Sequence, residues 1–486
     1  MNLLKFLRPG RSAAKQKNLP PLMLRNTLSG ELEEFKPMGS AVKMYNCGPT
    51  VYDFVHIGNL RAYVFADTIR RSLHAWGYKV QQVINITDFG HLVSDADEGE
   101  DKMTKGLKRE GLRVTMANMR KLAERYAESF FKDIGELGLD VEHIRFPRAS
   151  DYIPEQIAVI KTLEQKGYAY RLEDGVYYDT SRFPGYGKLG DQDIEAQEAG
   201  ARLEVNTNKR HPADFVLWKS DKKLGWESPW GLGFPGWHTE CVAMIFKLLG
   251  KQIDIHTGGI DHIAIHHNNE LAQAEAATGK PFVRYWMHGE FITIEDKKVS
   301  KSLRNTIYLH NLTDKGLSAR ALRYWFLNGH YRTPMNFTWD AVEGANTAYG
   351  RLVRAYLELP PSQMRPDETF LKDFYAAIAD DLNTPQALAR VWELLRDPAI
   401  IPAVKRASLA EADKILGLGL GDSGPVARVS VISVDDLPED VQRLIAAREE
   451  ARTNKDFKKS DDLRAQIAKK GFEVKDAPGG QKVTKK

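Results

Sequence analysis

Two cysteines are all that this 486-residue chain contains, Cys47 and Cys241, and they stand 194 positions apart. So sparse a supply argues against a disulfide framework, and with no export signal in view a reducing cytoplasm is the default compartment. Long apolar runs are missing too. No stretch approaches the length needed to cross a bilayer, which excludes a membrane span. Charge of one sign is also scarce, since a net charge of +4 is too small to mark a nucleic-acid binder. Its distribution is uneven: from Lys469 to Lys486 six lysines face only Glu473 and Asp476, a local excess equal to that of the whole chain. On charge alone this segment reads as a solvated basic tail. The first twenty residues hold five basic residues and no acid but lack a continuous apolar stretch, so they read as a disordered leader, not a secretory signal.

What is present has the texture of an ordinary multidomain protein, because single cores stop growing well below this length. Residues 42–46 and 79–86 read as strands, and between them Leu60, Val64, Ile69, Leu73 and Trp76 recur at helical spacing before Gly77. Such a βαβ unit implies an α/β fold with a parallel sheet and a right-handed crossover. The tetrapeptide "HIGN", residues 56–59, falls where the first strand hands over to the helix, and backbone N–H groups at a helix start favour phosphate. From about 150 to 212 the pattern changes to a helical stretch and a hairpin about Asp174-Gly175, an insertion with its own small sheet. The strand pattern returns at "QIDIHTGGID" and leads into an alanine-rich helix from His266 to Thr278. Beyond about 310, helical spacing dominates, with Phe370, Phe374 and Ile378 on one face and Thr384-Pro385 as an N-cap and first turn. Glycine-rich residues 417–425 form a linker to a terminal unit, residues 437–486, with two helical patterns and the basic tail.

Chemistry-bearing residues are few and scattered. His266 and Glu270 are four apart and share a face of the expected helix; alone, an exposed polar face is the commoner explanation. Cys47 beside a strand and Cys241 beside "VAMIF" read equally well as small core residues. Together the four offer two thiolates, an imidazole and a carboxylate, a combination that zinc accepts. The spacing is not that of a zinc finger, so only a fold that joins separate strand ends could assemble them, as the carboxyl ends of parallel strands do. In "KKVSKS", Lys298 and Lys301 lie on a serine-containing loop. A charged surface turn is the commoner use of such a hexapeptide. The functional reading is two ammonium groups that meet charge developing on a transferring phosphate, with His56 and Asn59 donating from the other side.

"HIGN" and "KVSKS" resemble the HIGH and KMSKS motifs of class I aminoacyl-tRNA synthetases. The surrounding "CGPTVYD", "NITD", "SPWGLGFPGWHTEC", "HHNNE", "WMHGEF" and "DDLNTP" resemble the cysteinyl-tRNA synthetases, over about Leu24 to Lys482. The resemblance implies one zinc ion on Cys47, Cys241, His266 and Glu270. It implies L-cysteine against Thr87 and Trp237 with Gly48 near its backbone, and ATP with Mg2+ against His56, Asn59, Gly258, Gly259, Asp261, Lys298 and Lys301. The acceptor it implies is tRNA. A zinc ion would suit this task, because a shape-reading pocket separates near-isosteres such as cysteine and serine by only about 1–3 kcal/mol. A soft metal that takes the thiol as thiolate adds a sharper test, and no editing domain is then expected.

The domain plan implied is a leader (1–20), a Rossmann-like catalytic domain in two halves (21–149 and 213–285) and a connective insertion (150–212). The lysine-loop and stem-contact region (286–345), a tRNA-binding helical bundle (346–425) and a small anticodon-binding domain (426–486) follow, in a monomeric protein. Three positions depart from the family pattern: Asn59 replaces the second histidine of HIGH, Arg304 replaces a glycine, and the acidic segment after Asp88 is longer by roughly ten residues in a loop context that tolerates insertion. Two rival readings share these residues. One is a ligase that joins cysteine to an amino sugar and lacks an anticodon-binding half; the other is a catalytically silent RNA-binding or zinc-held scaffold.

Overall fold

The computed structural model describes residues 19–89, 102–190, 208–298, 306–422, 437–454, 456–477 and 480–485. Lys301, Arg304, the acidic segment after Phe89, nearly all of the leader and residues 423–425 of the glycine-rich linker lie outside the described residues.

Five parallel strands form the central sheet, in the spatial order Val283–Gly289, Ile253–Gly259, Val42–Asn46, Val80–Ile84 and Ile144–Arg145. Ile253, Ile255, Met44, Val83 and Ile84 are all buried, as expected where helices cover both faces of a parallel sheet. The expected α/β class is the one observed. The helix Ile57–Ala75 connects two of these strands and buries Leu60, Val64, Ile69 and Leu73, and the chain turns away from it at Gly77, whose φ is 86°. From Val42–Asn46 the chain passes to Val80–Ile84 on one side, whereas Ile253–Gly259 pairs on the other. The carboxyl ends of Val42–Asn46 and Ile253–Gly259 therefore flank the point where strand order reverses, and a crevice opens there in such sheets.

The second sheet is antiparallel and comprises Ala169–Leu172, Gly175–Tyr178, Phe215–Ser220 and Gly233–Pro235, so it extends past residue 212. Its first turn is Glu173-Asp174, one residue earlier than the spacing suggests, with Leu172 opposite Gly175. The helices Trp339–Glu358, Glu368–Ala379, Thr384–Arg396 and Pro402–Leu416 follow, with Phe370, Phe374, Ile378 and Val391 buried. Asn383, not Thr384, caps the third of them: its side chain accepts from Gln386 N at 3.2 Å, while Thr384 Oγ1 donates to Leu327 O at 2.8 Å.

A separate compact unit begins at Asp422. It contains the helices Glu439–Thr453 and Phe457–Lys469 and an antiparallel hairpin, Phe472–Ala477 with Gly480–Lys485. This corrects the reading of the basic segment as a solvated tail. Val474 lies opposite Val483, and both join Val441, Ile445 and Ile467 in a small core. Alternation along each strand lets the segment supply that core despite its lysines. Among the described residues no helix is long and apolar enough to cross a membrane.

Candidate metal and nucleotide site

Strand ends and one unusual turn build the site. Cys47 follows directly on Val42–Asn46, and its N–H donates to Thr257 O at 3.2 Å in the neighbouring strand. Beyond that strand, Ile263–His267 forms a π-helical turn before the α-helix Asn268–Thr278. The α-helix expected from His266 thus starts two residues later, and the wider turn is a feature often found at functional sites. His266 Nε2 still reaches Glu270 Oε1 at 2.6 Å, and Cys241, buried on Trp237–Leu248, brings its Sγ to 3.8 Å from His266 Nε2.

Two residues 194 positions apart in sequence therefore face one imidazole–carboxylate pair. His267, the neighbour over which the family resemblance selects His266, joins them: its Nε2 lies 3.2 Å from Cys47 Sγ, and the candidate donor atoms of Cys47, His266, His267 and Glu270 all fall within 4.8 Å of one another. These donors fit zinc, because sulfur, nitrogen and carboxylate oxygen are its usual ligands and all of them converge.

A further shell of histidines orients the cluster. His238 Nδ1 is 2.8 Å from His266 Nδ1, His256 Nε2 is 2.7 Å from Glu270 Oε2, and His288 Nε2 is 2.7 Å from His267 Nδ1. Thr27 Oγ1 meets the far nitrogen of His288 at 2.7 Å. Such partners fix ring orientation and tautomer in metal sites. Their sequence signal was the presence of histidine among apolar or aromatic residues, in the strands of "DIHTG" and "YWMHGE" and at the helix start of "GWHTE".

The electrostatics favour a cation. Burial pushes the Cys47 thiol up, but hydrogen bonding with Cys241 and the charges of His267 and His266 outweigh it and hold the group well below its ordinary value. Cys241 is pushed well above its own, by burial and then by Cys47. Glu270 is held down to about 2, since His256 and His266 overcome its burial, and His266 is raised to about 10 as Glu270 and Cys47 overcome its own. Filling such a site with a metal ion releases protons.

Around the cluster stand the other expected contacts. The half-buried Trp237 ring centres 4.2 Å from that of His266. Thr87 Oγ1 donates to the buried Glu240 at 2.9 Å and accepts from Asn85 Nδ2 at 3.1 Å; neither partner was singled out from sequence. Gly48 N donates to Asn85 Oδ1 at 2.7 Å, and a Cβ at Gly48 would stand 1.6 Å from Asn85 O, so close backbone approach demands glycine.

At the candidate phosphate end, His56 caps Ile57–Ala75: its Nδ1 accepts from Asn59 N at 3.3 Å while Asn59 Oδ1 accepts from His56 N at 3.4 Å. This reciprocal cap gives Asn59 a role that an amide performs well. It also leaves the proton of a neutral His56 on Nε2. Gly258 and Gly259 end their strand opposite His288 and Gly289, and Asp261 Oδ1 would be 2.3 Å from a Cβ at Gly259. Lys298 lies in a two-residue strand opposite Thr293, after a turn in which Glu295 and Asp296 have φ values of 47° and 63°. Positive φ at both central residues is the signature of a tight type I′ hairpin.

Comparison with known proteins bears on this arrangement. Residues 34–347 match the family described as tRNA synthetases class I (C) catalytic domain, and residues 434–483 match the cysteinyl-tRNA ligase anticodon binding domain. A cysteine–tRNA ligase of Burkholderia lata is 45% identical over 95% of this chain and 97% of its own, and one of Treponema denticola is 40% identical over 94% and 98%. A solved Mycobacterium tuberculosis methionyl-tRNA synthetase in complex with methionyl-adenylate shares the fold at a TM-score of 0.54 and 13% identity, covering 78% of this chain and 90% of that one. The chain belongs to the cysteine–tRNA ligase family of class I tRNA synthetases.

Proposed function

We propose that the protein activates L-cysteine with ATP and transfers it to the 3′ end of a cysteine-accepting tRNA, with zinc selecting the substrate thiol. The observation that most supports this reading is that Cys47, His266, His267 and Glu270 bring donor atoms within 4.8 Å of one another, with Cys241 Sγ 3.8 Å from His266 Nε2. A bound zinc ion would supply a soft Lewis acid that takes the thiol as thiolate and disfavours a serine hydroxyl.

The chain's own residues do the rest. In the first step an oxygen of the amino-acid carboxylate attacks the α-phosphorus of ATP and pyrophosphate leaves. In the second a terminal ribose hydroxyl attacks the activated carbonyl and AMP leaves. Neither step needs a covalent intermediate on the protein. His56 and Asn59 donate to phosphate oxygens, and Lys298 and Lys301, with Mg2+ on the nucleotide, meet the charge on the leaving pyrophosphate. Because the Thr87 hydroxyl gives its proton to Glu240, its oxygen remains an acceptor suited to the substrate ammonium. Trp237 covers the amino acid, and Gly258, Gly259 and Asp261 receive the adenosine. The bundle and the terminal unit read the tRNA, where unstacked anticodon bases are accessible. The protein works as a monomer in the cytoplasm.

Zinc-loaded protein tests this by ATP–pyrophosphate exchange and tRNA charging, each with cysteine and with serine. Cysteine-only exchange and charging is the expected result. Exchange without charging moves the amino-sugar ligase ahead, and no exchange in zinc-loaded protein favours the silent scaffold.

A further inference from the structure

Arg61 follows His56 by five residues on the helix Ile57–Ala75, and only 5% of it is exposed. Its guanidinium donates to four backbone carbonyls. Nη1 reaches Glu290 O at 2.9 Å and Phe291 O at 3.1 Å, and Nη2 reaches His330 O at 2.9 Å and Thr333 O at 2.7 Å. Each nitrogen thus holds a different connection. Glu290–Phe291 joins the sheet strand Val283–Gly289 to the strand Ile292–Ile294, and the turn from His330 to Thr333 leads to the strand Met335–Phe337. Those two strands pair in parallel, and Ile292–Ile294 pairs with Lys297–Lys298 on its other side. The connections are also bonded to each other, Glu290 N to Tyr331 O at 2.8 Å.

The small sheet that carries Lys298 is therefore attached to the helix of His56 and Asn59 through one buried cation. Further along the chain a second attachment lies at the helix start, where Ile57 N donates to Ile307 O at 2.9 Å and His56 bridges to Tyr308. Nothing about the site chemistry requires an arginine at position 61, since none of its hydrogen bonds goes to the metal cluster or to His56. The geometry points to Arg61 as a positioning residue, which sets the strand of Lys298 at a fixed distance from His56 and Asn59 so that the two sides of the phosphate site meet the same group. This inference rests on the function proposed above.

The demand for arginine is geometric. Its planar fork offers five donors in fixed directions, so two nitrogens can each serve one connection. A lysine has three donors on one nitrogen and lacks the fork, so it cannot serve all four carbonyls of the two connections. A methionine fills the stem and leaves all four carbonyls without this donor, and unsatisfied buried polar groups are costly. A displacement of about 1 Å between reacting groups can cost on the order of 100-fold in rate, so a modest shift of the small sheet is enough to register.

The test uses full-length, zinc-loaded Arg61→Lys and Arg61→Met beside the wild type. Four quantities are measured: cysteine-dependent ATP–pyrophosphate exchange, bound zinc, the thermal midpoint, and amide hydrogen exchange along the chain. The expected result is a kcat lower by about 10- to 100-fold with zinc content and the KM for cysteine close to wild type. Faster hydrogen exchange should be confined to residues 289–298 and 330–337. If Arg61→Met does not fold, Arg61→Lys, which keeps the charge without the fork, decides the matter. An unchanged kcat in folded variant overturns the inference, as does a loss of kcat that matches a loss of folded fraction with exchange quickened throughout. If the wild type shows no exchange with cysteine, the proposed function fails on its own, while local hydrogen exchange still reveals whether Arg61 holds the two connections.

Discussion

Arg323 Nη2 donates to Asp67 Oδ2 at 2.7 Å across 256 positions of sequence, and both side chains are fully buried. Arg70 and Arg71 donate to the same carboxylate at 2.8 and 2.6 Å. Arg323 also gives its Nε–H to Leu416 O at 2.7 Å, so it caps a carbonyl at the end of Pro402–Leu416 that the helix leaves unpaired. The helix that begins at the candidate phosphate end is thereby tied at its middle to the last of the four bundle helices.

Removing that carboxylate charge leaves buried guanidinium groups uncompensated. Asp67→Asn keeps the shape and is expected to cost about 3–5 kcal/mol, the range for breaking a buried ion pair on one side. Denaturant unfolding of the large unit checks this, and a loss below about 1 kcal/mol would show that the cluster is not the tie described here. The acid limb should change as well. Burial opposes ionisation of Asp67, but Arg323, Arg71 and Arg70 prevail and hold it well below the usual carboxylate range. Its contribution is present above the ordinary carboxylate value and is lost as pH falls towards the folded-state value, a loss the asparagine variant lacks.

Asp133 gives the opposite sign. It lies on the helix Met116–Glu136, where burial, followed by Glu136, pushes it up to about 7 against the pull of Lys132. The stability it contributes is fully present below the unfolded value, near 4, and disappears as pH rises through about 7. Asp133→Asn should therefore gain on the wild type between those values and hold a constant advantage above them. Thermal midpoints measured from pH 4 to pH 8 test it; curves that stay parallel throughout would rule the shifted carboxyl out.

Local pattern carried the parts of the fold that obey a local period. The strand Val42–Asn46 and the helix after "HIGN" are readable because apolar residues recur at spacings of two and of three to four. The hairpin at 472–485 escaped because Val474 and Val483 are isolated among lysines, and their pairing with each other appears only once the chain has turned. Asp67 and Arg323 are invisible for the same reason: on its own each is an ordinary charged residue of a helix. At the candidate metal site the residue types were legible, but the choice between neighbouring histidines was not. The π turn presents both His266 and His267 to the cluster, where a regular α-helix would send adjacent side chains about 100° apart.

His238 offers a test of the outer shell. Its Nδ1 lies 2.8 Å from that of His266, so one ring donates to the other and the Nε2 of His266 is kept towards Glu270 and Cys241. Loss of such a partner typically lowers metal affinity by about 10- to 100-fold. His238→Ala should show this in competition with a chromophoric chelator while retaining the fold by circular dichroism. Wild-type affinity would mean that His266 needs no orienting partner.

Gly48 and Gly258 are both small because something stands close, but what stands close differs. A Cβ at Gly258 would meet side chains, His262 Nδ1 and His267 Cε1, each at 2.6 Å, and imidazoles can rotate. A Cβ at Gly48 would meet the backbone oxygen of Asn85 at 1.6 Å, and backbone leaving the ends of two paired strands cannot move alone. The displacement would pass through Asn85 to Thr87, and through the adjoining peptide to Cys47. Overpacking typically costs about 1–3 kcal/mol, and a fixed backbone contact belongs at or above the upper end. Gly48→Ala should therefore lower the thermal midpoint, weaken zinc binding and raise the KM for cysteine together. Gly258→Ala should mainly disturb zinc binding through His267. If the two variants have equal midpoints, or if Gly48→Ala binds cysteine as the wild type does, the close approach at Asn85 is not what requires glycine there.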